Sequence, residues 1–118
     1  MDKSLNELVD RDLLFDFYGD LLTDHQKRIF EEVVFNDYSV SEVARDEGIS
    51  RQSVYDMIQR CTAALVSFEE KLGLAKRFRE QREAVREIRR AAERCRATGE
   101  PGELDEILRL CDRLLESF

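Results

Sequence analysis

Arg51 and Gln52 follow directly on Gly48-Ile49-Ser50, at the start of a segment with helical apolar spacing. With Ser53, Tyr55, Gln59 and Arg60 they form the set best suited to reading a nucleic acid. An arginine can donate two parallel hydrogen bonds to guanine, and a glutamine can pair in the same two-pronged way with adenine. A helix that enters the major groove presents its N-terminal side chains to the base edges, which is where this set stands. Asp56 weakens the case, because a carboxylate there repels phosphate and suits only a cytosine amino group. Asp46 and Glu47, just ahead, add to that repulsion.

A second basic set lies downstream. Arg79, Arg82, Arg86, Arg89 and Arg96 each follow a position of an apolar seam by one residue, forming a row along its edge broken by Glu93. Guanidinium groups in a row can track the phosphates of a structured RNA by shape rather than by base. The competing reading is structural. Glu80, Glu83 and Glu87 interleave with the row, and exposed pairs of this kind contribute only about 0.3–0.5 kcal/mol each. Pairing with acidic segments, within or between subunits, is the other structural reading.

Residue types for catalysis are sparse. There is no Gly-rich phosphate loop, and the carboxylates sit at helix-surface spacing with no apolar run to bury a pair and shift its pKa. His25, beside Asp24 and Lys27, reads as a solvated helix residue. Cys61, Cys95 and Cys111 are far apart without a CxxC pair, so they read as buried free thiols of a reducing cytoplasm. No enzyme activity, metal, cofactor or small-molecule substrate is expected. Neither a signal peptide nor a run of about 18 apolar residues occurs, so the expected location is the cytoplasm, away from the membrane. The net charge of −7 disfavours tight unspecific DNA binding, yet residues 73–98 carry 9 bases against 4 acids.

Positioning these residues falls to helices, since no period-two strand pattern is present. Leu13, Leu14, Phe17, Tyr18, Leu21 and Leu22 line one helix face, and Thr23 is placed to cap a second helix from Asp24 to Phe35. Ser39 with Glu42 makes a capping box, Gly48 supplies a left-handed turn, and Ser50 caps the next helix. Small Ala44 lets the two helices approach. The spacing predicts a helix-turn-helix. Val54, Ile58, Cys61, Leu65, Phe68 and Leu72 then run as a heptad seam, expected to outrun the core from Leu65 onward. A second seam runs through Leu74, Phe78, Gln81, Val85, Ile88, Ala92 and Cys95. After the linker Thr98–Gly102, a third runs through Leu104, Ile107, Cys111, Leu114 and Phe118. These seams either fold back as a hairpin or pair with a second copy, and a homodimer is the expectation.

The residues Leu14–Tyr18, Leu21–Thr23 with Gln26, Ser39–Asp56 and Glu69–Leu72 resemble the YlxM family of small bacterial proteins. The resemblance covers roughly residues 10–74. It implies an all-α fold with a helix-turn-helix similar to region 4 of sigma factors. Family genes typically lie beside the gene for Ffh, the signal recognition particle GTPase. An accessory or regulatory role in that pathway is therefore implied, with the particle's RNA or GTPase as partner. The alternative is a DNA-binding transcription regulator acting through Arg51 and Gln52. Two domains are expected: a helix-turn-helix domain over 1–74 and a helical C-terminal extension over 75–118.

Overall fold

Four local signals set the helix boundaries of the first half. The Thr23 hydroxyl accepts from the Gln26 backbone N–H while the Gln26 side chain accepts from Thr23, a reciprocal box that opens α2 (Asp24–Phe30). Ser39 and Glu42 do the same at α3 (Val40–Glu47). Gly48 ends α3 at φ 69°, and Ser50 Oγ accepts from the Ser53 N–H to open α4 (Arg51–Leu72). The computed structural model describes the backbone of residues 3–118 and the side chains of 11–118. Helix α1 (Lys3–Tyr18) precedes these elements, and α5 (Leu74–Thr98) and α6 (Gly102–Glu116) follow them. The described residues contain helices and turns and no strand. The fold is all-α, with a helix-turn-helix in its first half.

A Cβ at Gly48 would meet no heavy atom within 4 Å, so only the left-handed backbone opposes a side chain there. Gly48→Ala is therefore expected to cost about 1–2 kcal/mol, as backbone strain without a clash. A urea melt would read this as a lowered midpoint with an unchanged slope.

The chain divides into two compact units, Met1–Ala75 and Lys76–Phe118. In the first, Ile29, Val43, Ala44 and Val54 join α2, α3 and α4, and Leu14, Tyr18, Leu22, Phe30, Cys61 and Leu65 join α1, α2 and α4. Two expectations need correction. Leu65 is 0% exposed, and Phe68 packs on Tyr18 with ring centroids 5.9 Å apart, so the α4 seam stays within the core well past Leu65. Of its residues, Leu72 is left exposed. Phe17 of α1 and Leu21 of the tighter turn over Gly19–Leu21 face outward, so the expected apolar face does not run through either of them. Phe15 packs inward instead, stacked 5.5 Å from Phe30 and tilted 5.1 Å from Phe35. The expected helix over Asp24–Phe35 is present, but its last five residues widen, with the Asn36 N–H donating to the Glu31 carbonyl.

Tyr18 is the polar hinge of this core. Its hydroxyl donates to Glu69 Oε1 (2.7 Å) and accepts from the Leu74 N–H (3.1 Å), while the Ala75 N–H donates to the same carboxylate oxygen (3.0 Å). Burial, with Glu69 adding to it, pushes the Tyr18 phenol above its ordinary pKa. Two side chains from α1 and α4 thus satisfy the free donors at the start of α5, immediately after Gly73 turns the chain at φ 65°.

The second unit is a hairpin of α5 and α6. Its buried side chains are Ala84, Ala91 and Leu110, flanked by the half-buried Ile88, Cys95, Ile107 and Leu114. The Gln81 side chain donates to Ser117 Oγ (3.1 Å), and Arg94 Nε donates to Glu103 Oε1 (3.1 Å), closing the two ends. The α5 seam is therefore rotated from the expected one: Val85 and Ala92 are exposed, and Ala84 and Ala91 take the centre. Cys61 is buried as expected, whereas Cys95 and Cys111 are only half-buried.

Candidate nucleic-acid interface

Helix α4 presents its polar residues from a capped N-terminus. Val54 anchors it from below at full burial, and Arg51, Gln52, Tyr55 and Gln59 are exposed. At 3.6 residues per turn these four fall within about a third of the helix circumference, so they share one face. Ser53 and Arg60 do not share it. Arg60 stands two and a half turns from Arg51 and so points the opposite way. The Ser53 hydroxyl lies 2.9 Å from Ser50 Oγ, inside the cap. Gln52 Nε2 donates to Asp56 Oδ1 (2.9 Å), which occupies one arm of the amide and draws the carboxylate along the helix.

Of the two acids expected to repel phosphate at the turn, Asp46 is exposed and Glu47 is held by bases. Arg28 donates to Glu47 Oε2 (2.8 Å), and His25 Nε2 lies 2.8 Å from Glu47 Oε1. The His25 contact first, then Arg28, holds the Glu47 carboxyl below its ordinary pKa. His25 is exposed on α2, as expected of a solvated helix residue, and from there also ties α2 to the end of α3. The local field at the start of α4 is less negative than the residue count suggests.

The downstream arginines lie exposed on α5. Arg82 sits with its guanidinium carbon 5.7 Å from the centre of the Phe78 ring. Arg86 reaches Glu83 at 3.6 Å and Arg89 reaches Glu93 at 3.7 Å, both along the same helix. Arg79 and Arg96 are exposed on the same helix. Glu83 is taken chiefly by Arg90, which lowers its pKa.

Residues 5–101 match the family model described as "Putative helix-turn-helix protein, YlxM / p13 like". The chain belongs to this family. A UPF0122 protein of Thermoanaerobacter sp. strain X514 is 43% identical over 106 residues, 90% of this chain and 91% of the relative. YlxM of Bacillus subtilis strain 168 is 38% identical over 109 residues, 92% of this chain and 99% of that protein. The matched span runs through α5, so this YlxM-like chain carries the family likeness well beyond residue 74.

One residue absent from the sequence reading joins the α4 face of the YlxM-like protein. Arg11 of α1 lines a shallow groove of about 500 Å³ with Ile58, Gln59, Thr62, Ala63 and Val66. It extends the polar face along α4 with a positive charge. No local signal marked it, since α1 and α4 meet only in three dimensions. Among the described residues, no group of three or more His, Cys, Asp or Glu side chains is placed to hold a metal ion. None of their helices is long and apolar enough to cross a membrane.

Proposed function

We propose that this YlxM-like protein is a non-enzymatic regulatory or accessory factor that binds nucleic acid through the exposed face of α4, in the cytoplasm and as a homodimer. The observation that carries the reading is the row Arg51, Gln52, Tyr55 and Gln59 on one face of a capped second helix. Arg51 supplies a two-pronged base contact, Gln52 supplies a second once its amide turns from Asp56, and Arg11 with Arg51 supplies phosphate attraction. The resemblance to the YlxM family supports the signal recognition particle pathway as the system served. Its RNA, its GTPase or the transcription of its genes is the point of action.

A DNA target is the second reading, favoured by the same helix-turn-helix. Gel shifts against random duplex DNA and against signal recognition particle RNA separate the two. In the DNA reading, Arg51→Ala with Gln52→Ala is expected to erase sequence preference, each lost base contact costing about 1–3 kcal/mol of discrimination. In the RNA reading, where A-form grooves deny such base readout, it is expected to weaken binding only through the lost Arg51 phosphate contact. Sequence-selective duplex binding by the parent marks a DNA regulator, and RNA binding alone marks the accessory role. The arginine row of α5 is the control. If Arg82, Arg86 and Arg89→Gln abolishes binding and Arg51→Ala, Gln52→Ala leaves it intact, the α4 assignment is wrong.

A further inference from the structure

The α5–α6 hairpin has a thin core and a wide apolar face. Inside it lie Ala84, Ala91 and Leu110, while Val85 (53% exposed), Leu108 (62%), Leu115 (69%) and Phe118 (84%) face solvent. On α6 the exposed Leu104, Leu108, Leu115 and Phe118 form a seam of their own with the half-buried Cys111. They step by four and three residues, directly beside the half-covered Ile107 and Leu114. Val85, Leu114 and Phe118 line one groove of about 310 Å³, which places the α5 and α6 stripes on the same side of the hairpin. A helical unit near the size of roughly 40 residues usually needs a metal, disulfides or oligomerisation to be stable. Its cysteines are free, and its described residues hold no metal cluster.

The rim of this face has opposite charge on its two edges. Arg82, Arg86, Arg89 and Arg96 border the apolar stripe of α5, and Asp105, Asp112 and Glu116 border that of α6. The contacts Gln81–Ser117 and Arg94–Glu103 set which residues of the two helices lie at one level. By that register, Arg82 is level with Glu116, and Arg86 with Asp112. A two-fold axis parallel to the helices and lying in the face preserves levels and exchanges edges. It sets α5 of one copy antiparallel over α6 of the other, with Arg82 opposite the partner's Glu116 and Arg86 opposite the partner's Asp112. A two-fold axis across the helices would instead set arginines over arginines and acids over acids, at a cost in like-charge repulsion.

We infer that this face is a homodimer surface, on which two hairpins close an antiparallel four-helix bundle with α5 of each copy packed on α6 of the other. The inference rests on the homodimer of the proposed function and names the surface that forms it, independently of which nucleic acid is bound. The occupant is a second copy because the face carries both halves of the charge pattern it requires. It also assigns Arg82 and Arg86 to pairing between subunits.

Sedimentation of the full chain, with circular dichroism as the check on folding, tests this. The parent is expected to be dimeric at high micromolar concentration. Leu108→Glu with Leu115→Glu is expected to sediment as a helical monomer. Arg82→Glu with Arg86→Glu, and separately Asp112→Arg with Glu116→Arg, are each expected to weaken dimerisation about a hundredfold. Mixing the two charge variants is expected to restore a dimer containing one of each. A monomeric parent would overturn both the dimer and its surface. A dimeric parent whose Leu108→Glu, Leu115→Glu variant stays dimeric would overturn the surface alone. If the mixed charge variants fail to pair, the α5-on-α6 arrangement is wrong. Gel shifts of the monomeric variant keep the nucleic-acid reading separate, since its α4 face is unchanged.

Discussion

Leu65→Asp is expected to leave no cooperative melt. Leu65 is fully enclosed in a cluster with Leu14, Tyr18, Leu22, Phe30 and Cys61, drawn from α1, α2, α4 and the turn before α2. Replacing a buried leucine by a small residue costs about 2–5 kcal/mol. An unpaired carboxylate in the same place adds several more, or takes up a proton to avoid the charge. The sum rivals the whole stability of a small domain, about 5–15 kcal/mol. Far-ultraviolet circular dichroism against temperature would show a broad, non-sigmoidal loss of helix. A sharp melt within a few degrees of the parent would mean that Leu65 is not in the core.

The second large effect is expected at Tyr18, from a single oxygen atom. Tyr18→Phe keeps the ring and its contact with Phe68 but removes both a donor to Glu69 and an acceptor for the Leu74 N–H. Hydrogen bonds to charged groups contribute about 1.5–3 kcal/mol, and an orphaned buried donor costs about 1–3, so a loss of about 2–4 kcal/mol is expected. Glu69→Gln is expected to cost less, since the amide oxygen still accepts from the Ala75 N–H and the tyrosine hydroxyl. Urea titration of the two variants checks the order. Equal losses would show that the charge on Glu69, rather than the Tyr18 hydroxyl, holds the junction.

The contrast between these residues explains what was readable in advance. Thr23, Ser39, Gly48 and Ser50 act within four residues of themselves, so the helix-turn-helix could be read from spacing alone. The Tyr18–Glu69 bond spans 51 residues, and a tyrosine on an apolar face carries no mark of the acid it will meet. The turn acid Glu47 was misjudged in the same way, because Arg28 and His25 reach it from another helix. On α5, two apolar stripes lie side by side. Hydrophobicity favours the one with Val85, while the stripe turned towards α6 is the one with Ala84 and Ala91. The α4 face was legible for Arg51, Gln52, Tyr55 and Gln59, whose grouping needs only the pitch of a helix. By the same pitch, Arg60 belongs on the other side.

The three cysteines divide the chain in a way that makes it its own probe. Cys61 is sealed at 1% exposure between α1, α2 and α4, and burial raises its thiol pKa, so the native protein hides it from alkylating reagents. Cys95 and Cys111 are partly open and report on the hairpin. Alkylation at Cys61 therefore counts transient openings of the first unit, while the other two thiols follow the second. A single labelling time course, read by mass, separates the opening free energies of the two units without introducing any residue.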